Sequence, residues 1–155
     1  MHYPGPKFIK ENIFGCGNSG LERPYKKVLF GEESFESIIK HASTSNQDDL
    51  IEDLLLLLKS KERYTFVVIF DLELLDHKFN FWLKSRHLPD KELEKRAPQA
   101  VNELSSIFVH REKARFGTRT HTIVLVDDMN NFTFVEETML QNGKWKRQLI
   151  NNTLE

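Results

Sequence analysis

The sequence has very few cysteines, no excess of charge and no long apolar run, and each of these absences excludes a class of protein. A single cysteine, Cys16, excludes an internal disulfide and suits a reducing compartment. The 22 basic and 23 acidic side chains give a net charge of −1, so charge provides no reason to expect binding to nucleic acid or to an anionic membrane. The longest apolar runs, residues 54–58 and 66–70, are far shorter than the ~20 residues that a membrane-spanning helix needs.

What is present is the composition of one globular domain. Of the 155 residues, 39% are hydrophobic and 29% are charged, which is typical of a folded protein and not of a disordered one. Residues 1–15 lack an apolar core of signal-peptide length. No cysteine or histidine pair has the spacing of a zinc site or a haem-attachment motif, so no metal ligand is assigned. We therefore expect a soluble cytoplasmic protein.

The last third of the chain predicts a β-hairpin within an antiparallel sheet. β-branched side chains are dense in residues 118–126, and the aspartates and asparagines that follow have the chemistry of a tight turn. In residues 132–140, Phe134 and Val135 fall on opposite faces of a strand. Further strands on either side of this hairpin give a four-stranded antiparallel meander: residues 105–110, 118–126, 132–140 and 145–150.

The first part of the chain predicts helices that pack on this sheet. Gly31 interrupts the pattern between the first two helices, and Asn46 is a predicted N-cap with two aspartates in the following turn. Five leucines at residues 54–58 surround their helix, so we expect this end to be deeply buried or to face a partner. The helices are predicted at residues 24–30, 32–41, 46–59 and 89–97. The fold class is therefore α/β of the α+β type, an antiparallel sheet with packed helices.

Two motifs resemble the NRDE-domain family, which includes the transport and Golgi organization protein 2 group. The first is Phe-Gly-Cys-Gly-Asn-Ser at residues 14–19, followed by Pro-Tyr-Lys-Lys-Val at residues 24–28. The second is Gly-Thr-Arg-Thr at residues 117–120, which leads into the predicted hairpin. The resemblance covers residues 12–60 and 86–150, and it corresponds to the C-terminal half of a family member.

The resemblance implies a single partial NRDE-like domain over residues 1–155. Its fold would be similar to the C-terminal part of an αββα N-terminal-nucleophile-like domain. Residues 64–85 have no counterpart in the family pattern, and they are either a genuine insertion, forming an extra strand and helix, or translated intron sequence. A domain without its N-terminal half would leave an exposed sheet edge, to which a protein partner could pair.

The family's candidate nucleophile is a cysteine immediately after the initiator methionine, where its thiol and a free amine act together. This chain has His2 at that position, and its only cysteine, Cys16, has no free amine. The sequence therefore predicts no catalytic residue and no enzymatic activity.

By resemblance, five residues are candidate ligand contacts: Cys16, Asn18, Thr118, Arg119 and Thr120. In related cysteine hydrolases, an amide and a guanidinium at the positions of Asn18 and Arg119 line the acyl site. An amide N–H can stabilise an oxyanion, and an arginine can hold a carboxylate through two hydrogen bonds. The alternatives are a turn residue for Asn18 and a structural salt bridge for Arg119.

The function that the resemblance implies is intracellular haem trafficking, linked to Golgi organization and lipid homeostasis, with Golgi or mitochondrial association. Haem, or another small molecule, is then a cargo and not a fixed cofactor. Its iron could be held by the Cys16 thiolate or by a histidine, although a loop thiol is the alternative for Cys16, and His110 and His121 are each expected to be exposed to solvent. Two other interpretations stay open: an amide hydrolase relative that has lost its nucleophile, and a truncated isoform without independent function.

Overall fold

The computed structural model describes residues 13–20, 22–42, 46–63 and 90–154, in which helices pack on one side of a three-stranded antiparallel sheet. The helices are α1 (Lys26–His41), α2 (Gln47–Leu58), α3 (Lys91–Arg96) and α4 (Val101–Leu104). The strands are β1 (His110–Arg111), β2 (Phe116–Gly117), β3 (Thr120–Val126), β4 (Asn131–Met139) and β5 (Trp145–Thr153). This arrangement confirms the predicted α+β class. The unmatched residues 64–85 lie outside the described ranges.

The β3–β4 hairpin forms where the sequence predicts it, and its turn is held by Asp127. The Oδ1 atom of Asp127 accepts hydrogen bonds from the backbone N–H of Met129 at 2.9 Å and of Asn131 at 2.8 Å. Asn130 has a φ of 62°, in the left-handed region that asparagine tolerates better than most residues. The local turn chemistry therefore fixes the pairing of β3 with β4, and β5 then pairs with the other side of β4.

The prediction of a fourth strand at residues 105–110 is wrong. Within the described ranges the sheet contains β3, β4 and β5, and β1 pairs with β2 in a separate two-stranded ladder. Phe108 donates its backbone N–H to the carbonyl of Ser60 at 2.9 Å, and the hydroxyl of Ser106 donates to the Phe108 carbonyl at 2.6 Å. These contacts satisfy the backbone N–H and the carbonyl of Phe108 without a partner in the three-stranded sheet.

Helix α1 is continuous through Gly31, so the predicted interruption is also wrong. A glycine inside a helix costs only about 1 kcal/mol relative to alanine, and packing can offset that cost. The helix begins at Lys26, after Pro24 and not around it. Its first backbone N–H, that of Lys26, donates to Oδ2 of Asp90 at 2.8 Å, and Oδ1 of Asp90 accepts from Leu93 N at 3.0 Å. The buried carboxylate of Asp90 therefore caps both α1 and α3.

Helix α2 joins the helical layer to the sheet. It follows Asn46 as predicted, but its leucines are not all buried. Leu54 and Leu55 are 5% and 1% exposed and pack with Ile123 and Val135 of the sheet, whereas Leu56 is 73% exposed. Because α2 contacts the core with one face only, Leu56, the residue after Leu55, lies on the opposite face in solvent. None of the helices in the described ranges has the length and apolar character to cross a bilayer.

Candidate functional site

A cavity with a volume of about 790 Å³ lies between α1, the glycine-rich segment at residues 13–18 and the β1–β2 ladder. Its walls are mainly aliphatic and aromatic; they include Val28, Phe35, Leu58, Leu104, Ile107 and Phe116. Small-molecule sites are typically apolar clefts of about 300–1,000 Å³ with a few polar groups. The size and the lining of this cavity therefore suit an organic ligand.

The two sequence motifs meet at this cavity. Cys16 and Asn18 line one side, and Thr118 lines the other. Thr118 is fixed against Val109: its backbone N–H donates to the Val109 carbonyl at 2.7 Å, and its hydroxyl accepts from Val109 N at 3.2 Å. A Cβ atom at Gly117 would come within 2.4 Å of the Val109 carbonyl oxygen, so only glycine fits this close approach.

The glycine-rich segment lies directly on α1. Gly15 donates its backbone N–H to Oε1 of Glu32 at 2.6 Å, and a Cβ atom at Gly15 would lie 2.7 Å from Cγ of Glu32. Cys16 is consequently held in a loop with its thiol exposed beside the cavity. Asn18 is also exposed, and its backbone carbonyl accepts from Nη1 of Arg96 at 2.9 Å.

A partly buried lysine lies among the polar groups of the lining. Nζ of Lys27 donates to the carbonyls of Leu104 at 2.8 Å and of Ser106 at 3.3 Å. Burial lowers the pKa of Lys27, and attraction to Asp90 opposes this shift. The ammonium is thus held in place by two neutral carbonyl acceptors.

The charged groups in the lining are predominantly basic. Among the described residues of the lining, Lys27, Arg96 and Arg111 contribute three cations, and Glu32 contributes one carboxylate. Arg111 is ion-paired with Glu103, which offsets part of this charge, while Arg96 stacks over an aromatic ring and binds a backbone carbonyl. The lining itself therefore offers an anionic group more cationic donors than carboxylates, with Lys27 and Arg96 as the donors that form no ion pair with a described residue.

Arg119 and Thr120 do not line the cavity. Arg119 is exposed, and its carbonyl accepts from Met139 N at 2.7 Å at the start of the β3–β4 ladder. Thr120 is exposed on β3 opposite Thr138. The structure therefore brings together three of the five candidate ligand contacts, and the role of the other two stays a prediction.

A polar row, buried at His121 and Glu137, crosses the sheet on the face that α2 covers. His121, Glu137 and Arg147 lie side by side on β3, β4 and β5, and the first two are only 3% and 4% exposed. Nη2 of Arg147 lies 2.8 Å from Oε1 of Glu137, and Lys59, just after α2, forms a second ion pair with Glu137. Arg147 also pairs with Glu52 of α2, so this row fastens the helix to the sheet.

The expectation that His121 is exposed is wrong, whereas His110 is exposed as predicted. The His121 ring lies 4.7 Å from the ring of Trp145, and its Nε2 has no hydrogen-bond partner among the described residues. Burial and then the charge of Lys59 lower the pKa of His121, while Glu137 opposes them. The strand alternation with Ile123 was the signal that would have placed this histidine in the core.

Comparison with known proteins extends these observations. Residues 3–141 match the model of the family Transport and Golgi organisation 2. The chain is 35% identical over 146 residues to Transport and Golgi organization protein 2 of Drosophila melanogaster. This alignment covers 92% of this chain and 44% of that protein. It is 27% identical over 158 residues to the Mus musculus homolog, with coverage of 98% and 48%. It is 26% identical over 156 residues to the Homo sapiens homolog, again with coverage of 98% and 48%.

The family match spans most of the sequence and includes both motifs that line the cavity. The chain spans about half the length of the curated relatives it matches. These findings confirm the predicted resemblance, and the chain belongs to the Transport and Golgi organisation 2 family.

Proposed function

We propose that this chain binds an amphipathic, anionic small molecule in the cavity and carries it without covalent catalysis, with haem as the first candidate cargo. One observation carries the proposal: two motifs far apart in the sequence meet at one apolar cavity whose charged groups are mainly basic. In this proposal the protein has a cytoplasmic role linked to Golgi organization, as the family name suggests.

The cavity offers haem the two kinds of contact that its chemistry requires. Burial of its broad apolar ring against the aliphatic and aromatic walls contributes about 25 cal/mol for each Å² removed from water. Its two carboxylates can accept charge-assisted hydrogen bonds from Lys27 or Arg96. The exposed thiol of Cys16 at the same cavity is available as a thiolate ligand for the iron.

Carriage fits this site better than acyl transfer. A thiol nucleophile is normally activated by a neighbouring base such as histidine. Cys16 is the only cysteine of the chain, and the described residues that line the cavity beside it include no histidine. A thiol without such a base is more suited to ligand contact than to nucleophilic attack.

A haem titration of the purified chain, followed by absorbance in the Soret region, tests this proposal. We expect saturable binding, and Cys16→Ala should change the Soret spectrum because it removes the sulfur ligand. Arg96→Gln should weaken binding by about fivefold, since a charge-assisted hydrogen bond from an exposed side chain contributes about 1 kcal/mol.

The control is Arg119→Gln, because Arg119 is an exposed arginine of the second motif that lies outside the cavity. We expect this variant to bind haem as the parent does. Absence of saturable binding by a chain that circular dichroism shows to be folded would contradict the proposal. So would a larger loss of affinity in Arg119→Gln than in Arg96→Gln.

A further inference from the structure

Lys27 brings a primary amine into the wall of the apolar cavity. It belongs to the Pro-Tyr-Lys-Lys-Val segment at residues 24–28 and lies on the first turn of α1. Among the described residues of the lining it is the only lysine. Lys26, the preceding residue of the same helix, does not line the cavity. The two adjacent lysines therefore differ in whether a ligand in the cavity can reach their amines.

The amine of Lys27 is held by neutral oxygen atoms. Its Nζ donates to the carbonyls of Leu104 at 2.8 Å and of Ser106 at 3.3 Å, and it forms no ion pair with a described residue. Both carboxylate oxygens of Asp90 already accept backbone N–H groups at the starts of α1 and α3. Burial lowers the pKa of Lys27, and attraction to Asp90 opposes this shift without reversing it. At a given pH, more of this amine is therefore neutral and nucleophilic than in a fully solvated lysine.

The surroundings of this amine select the class of molecule with which it can react. The cavity has a volume of about 790 Å³, and Val28, Leu104 and Ile107 are among the apolar side chains that line it together with Lys27. A lysine amine that is desolvated in an apolar pocket acts as a nucleophile toward carbonyl groups and forms a Schiff base with them. An aldehyde with a long aliphatic chain offers a carbonyl carbon to the amine and an apolar surface to the walls.

We propose that Lys27 captures long-chain aliphatic aldehydes in this cavity as a reversible imine. The neutral Nζ adds to the carbonyl carbon, a proton moves from nitrogen to oxygen, and the carbon–oxygen bond breaks as water leaves. One amine and one aldehyde give one imine and one water, so the step needs neither an oxidant nor a reductant. The protonated imine keeps one N–H, which can retain the shorter hydrogen bond, to the carbonyl of Leu104. Hydrolysis returns the aldehyde, so the capture is stoichiometric and not catalytic.

This capture rests on the proposed function only in that both place an apolar ligand in the same cavity, and it does not require haem. Arg96, which lines the cavity and is always charged, remains the donor for an anionic group when haem is bound. Lys27 becomes the reactive group when the ligand carries an aldehyde. Because both ligands occupy one cavity, each should exclude the other.

Reductive trapping of the purified chain tests the proposal, with Lys26 as an internal control. Decanal is added with sodium cyanoborohydride, which reduces the imine to a stable amine, and the rate of decyl attachment at each lysine is measured by peptide mass spectrometry. Burial lowers the pKa of Lys26 as well, but Lys26 lies outside the cavity lining. We expect decanal to label Lys27 at least about tenfold faster than Lys26, which is the effect of burying about two methylene groups.

Two further reagents separate binding in the cavity from the intrinsic reactivity of the amine. Acetaldehyde has no chain to bury, so its preference for Lys27 over Lys26 should fall below about threefold. Decanol has the chain without the carbonyl, so it should slow the labelling of Lys27 by decanal and leave that of Lys26 unchanged. Equal labelling of the two lysines by decanal, or no effect of decanol, would overturn the proposal.

A haem titration of the same preparation distinguishes this proposal from the proposed function. Saturable haem binding without preferential labelling of Lys27 would overturn the aldehyde capture alone. Preferential labelling of Lys27 without saturable haem binding would support the capture and contradict haem as the cargo. If both occur, added haem should slow the labelling of Lys27 by decanal, and an unchanged rate would contradict a shared cavity.

Discussion

Replacing Glu137 by glutamine removes a charge on which the attachment of α2 to the sheet depends. The carboxylate is 4% exposed and is paired with Lys59, just after α2, and with Arg147 of β5. Arg147 is in turn bound to Glu52 of α2. The change leaves the size and shape of the side chain almost intact, so it tests the charge and its hydrogen bonds and not the packing volume.

The magnitude follows from the burial of the three groups. Breaking a fully buried ion pair costs about 3–5 kcal/mol, because the remaining charge is left unpaired away from water. The side chains of Lys59 and Arg147 are 32% and 39% exposed, so water can solvate them in part after Glu137 is lost. We therefore expect Glu137→Gln to lower the free energy of unfolding by about 2–3 kcal/mol at neutral pH.

Equilibrium urea denaturation, followed by circular dichroism, measures this loss. The control is Glu136→Gln, which alters the neighbouring residue on the outward face of β4 and should change the free energy of unfolding by less than about 0.5 kcal/mol. If both variants lose the same small amount, the buried row does not hold α2 on the sheet, and the reasoning is refuted.

Three further predictions concern other described residues. Burial lowers the pKa of His121 in the folded state, so the unfolded state takes up a proton first and the free energy of unfolding should fall as the pH drops below about 6.5. Urea denaturation at several pH values should show that the free energy of unfolding depends less steeply on pH in His121→Phe. An equally steep dependence would contradict this prediction. Asp90→Ala removes the caps of α1 and α3 and should lower the free energy of unfolding, measured by urea denaturation, by about 2–3 kcal/mol. Asp90→Asn keeps an acceptor oxygen and should lower it by less than half as much. Equal losses in the two variants would argue against capping. Gly117→Ala places a Cβ atom 2.4 Å from the Val109 carbonyl oxygen and should lower the thermal midpoint and haem affinity, whereas Gly20→Ala, with no atom within 4 Å, should leave both nearly unchanged.

Local patterns predicted the elements that depend on local contacts. The β3–β4 hairpin was predictable because strand alternation and the turn chemistry at Asp127 lie within one short segment. The strand predicted at residues 105–110 failed because its β-branched and aromatic residues are equally compatible with a turn that bonds to Ser60. Strand propensity describes the fit to a half-buried surface, and it does not identify which backbone supplies the hydrogen bonds.

Residues of the site could be predicted from the sequence only within the two motifs that resemble the family. The two motifs identified Cys16, Asn18 and Thr118, which the structure brings to one cavity. Lys27 lies in the motif at residues 24–28 but was not identified as a site residue, and Arg96 was missed, because their approach to the cavity depends on α1 and α3 being joined through the buried carboxylate of Asp90. Such a contact between distant segments leaves no periodic signal in the sequence.

Protection of Cys16 from alkylation by bound haem tests the central claim most directly. Cys16 is the only cysteine, it is exposed, and it lies beside the cavity, so a single labelling rate reports on this site. If the cavity binds the ligand, the rate should fall as haem is added, with the same midpoint as the Soret titration. Saturable haem binding with an unchanged labelling rate at Cys16 would place the ligand elsewhere and contradict the proposed function.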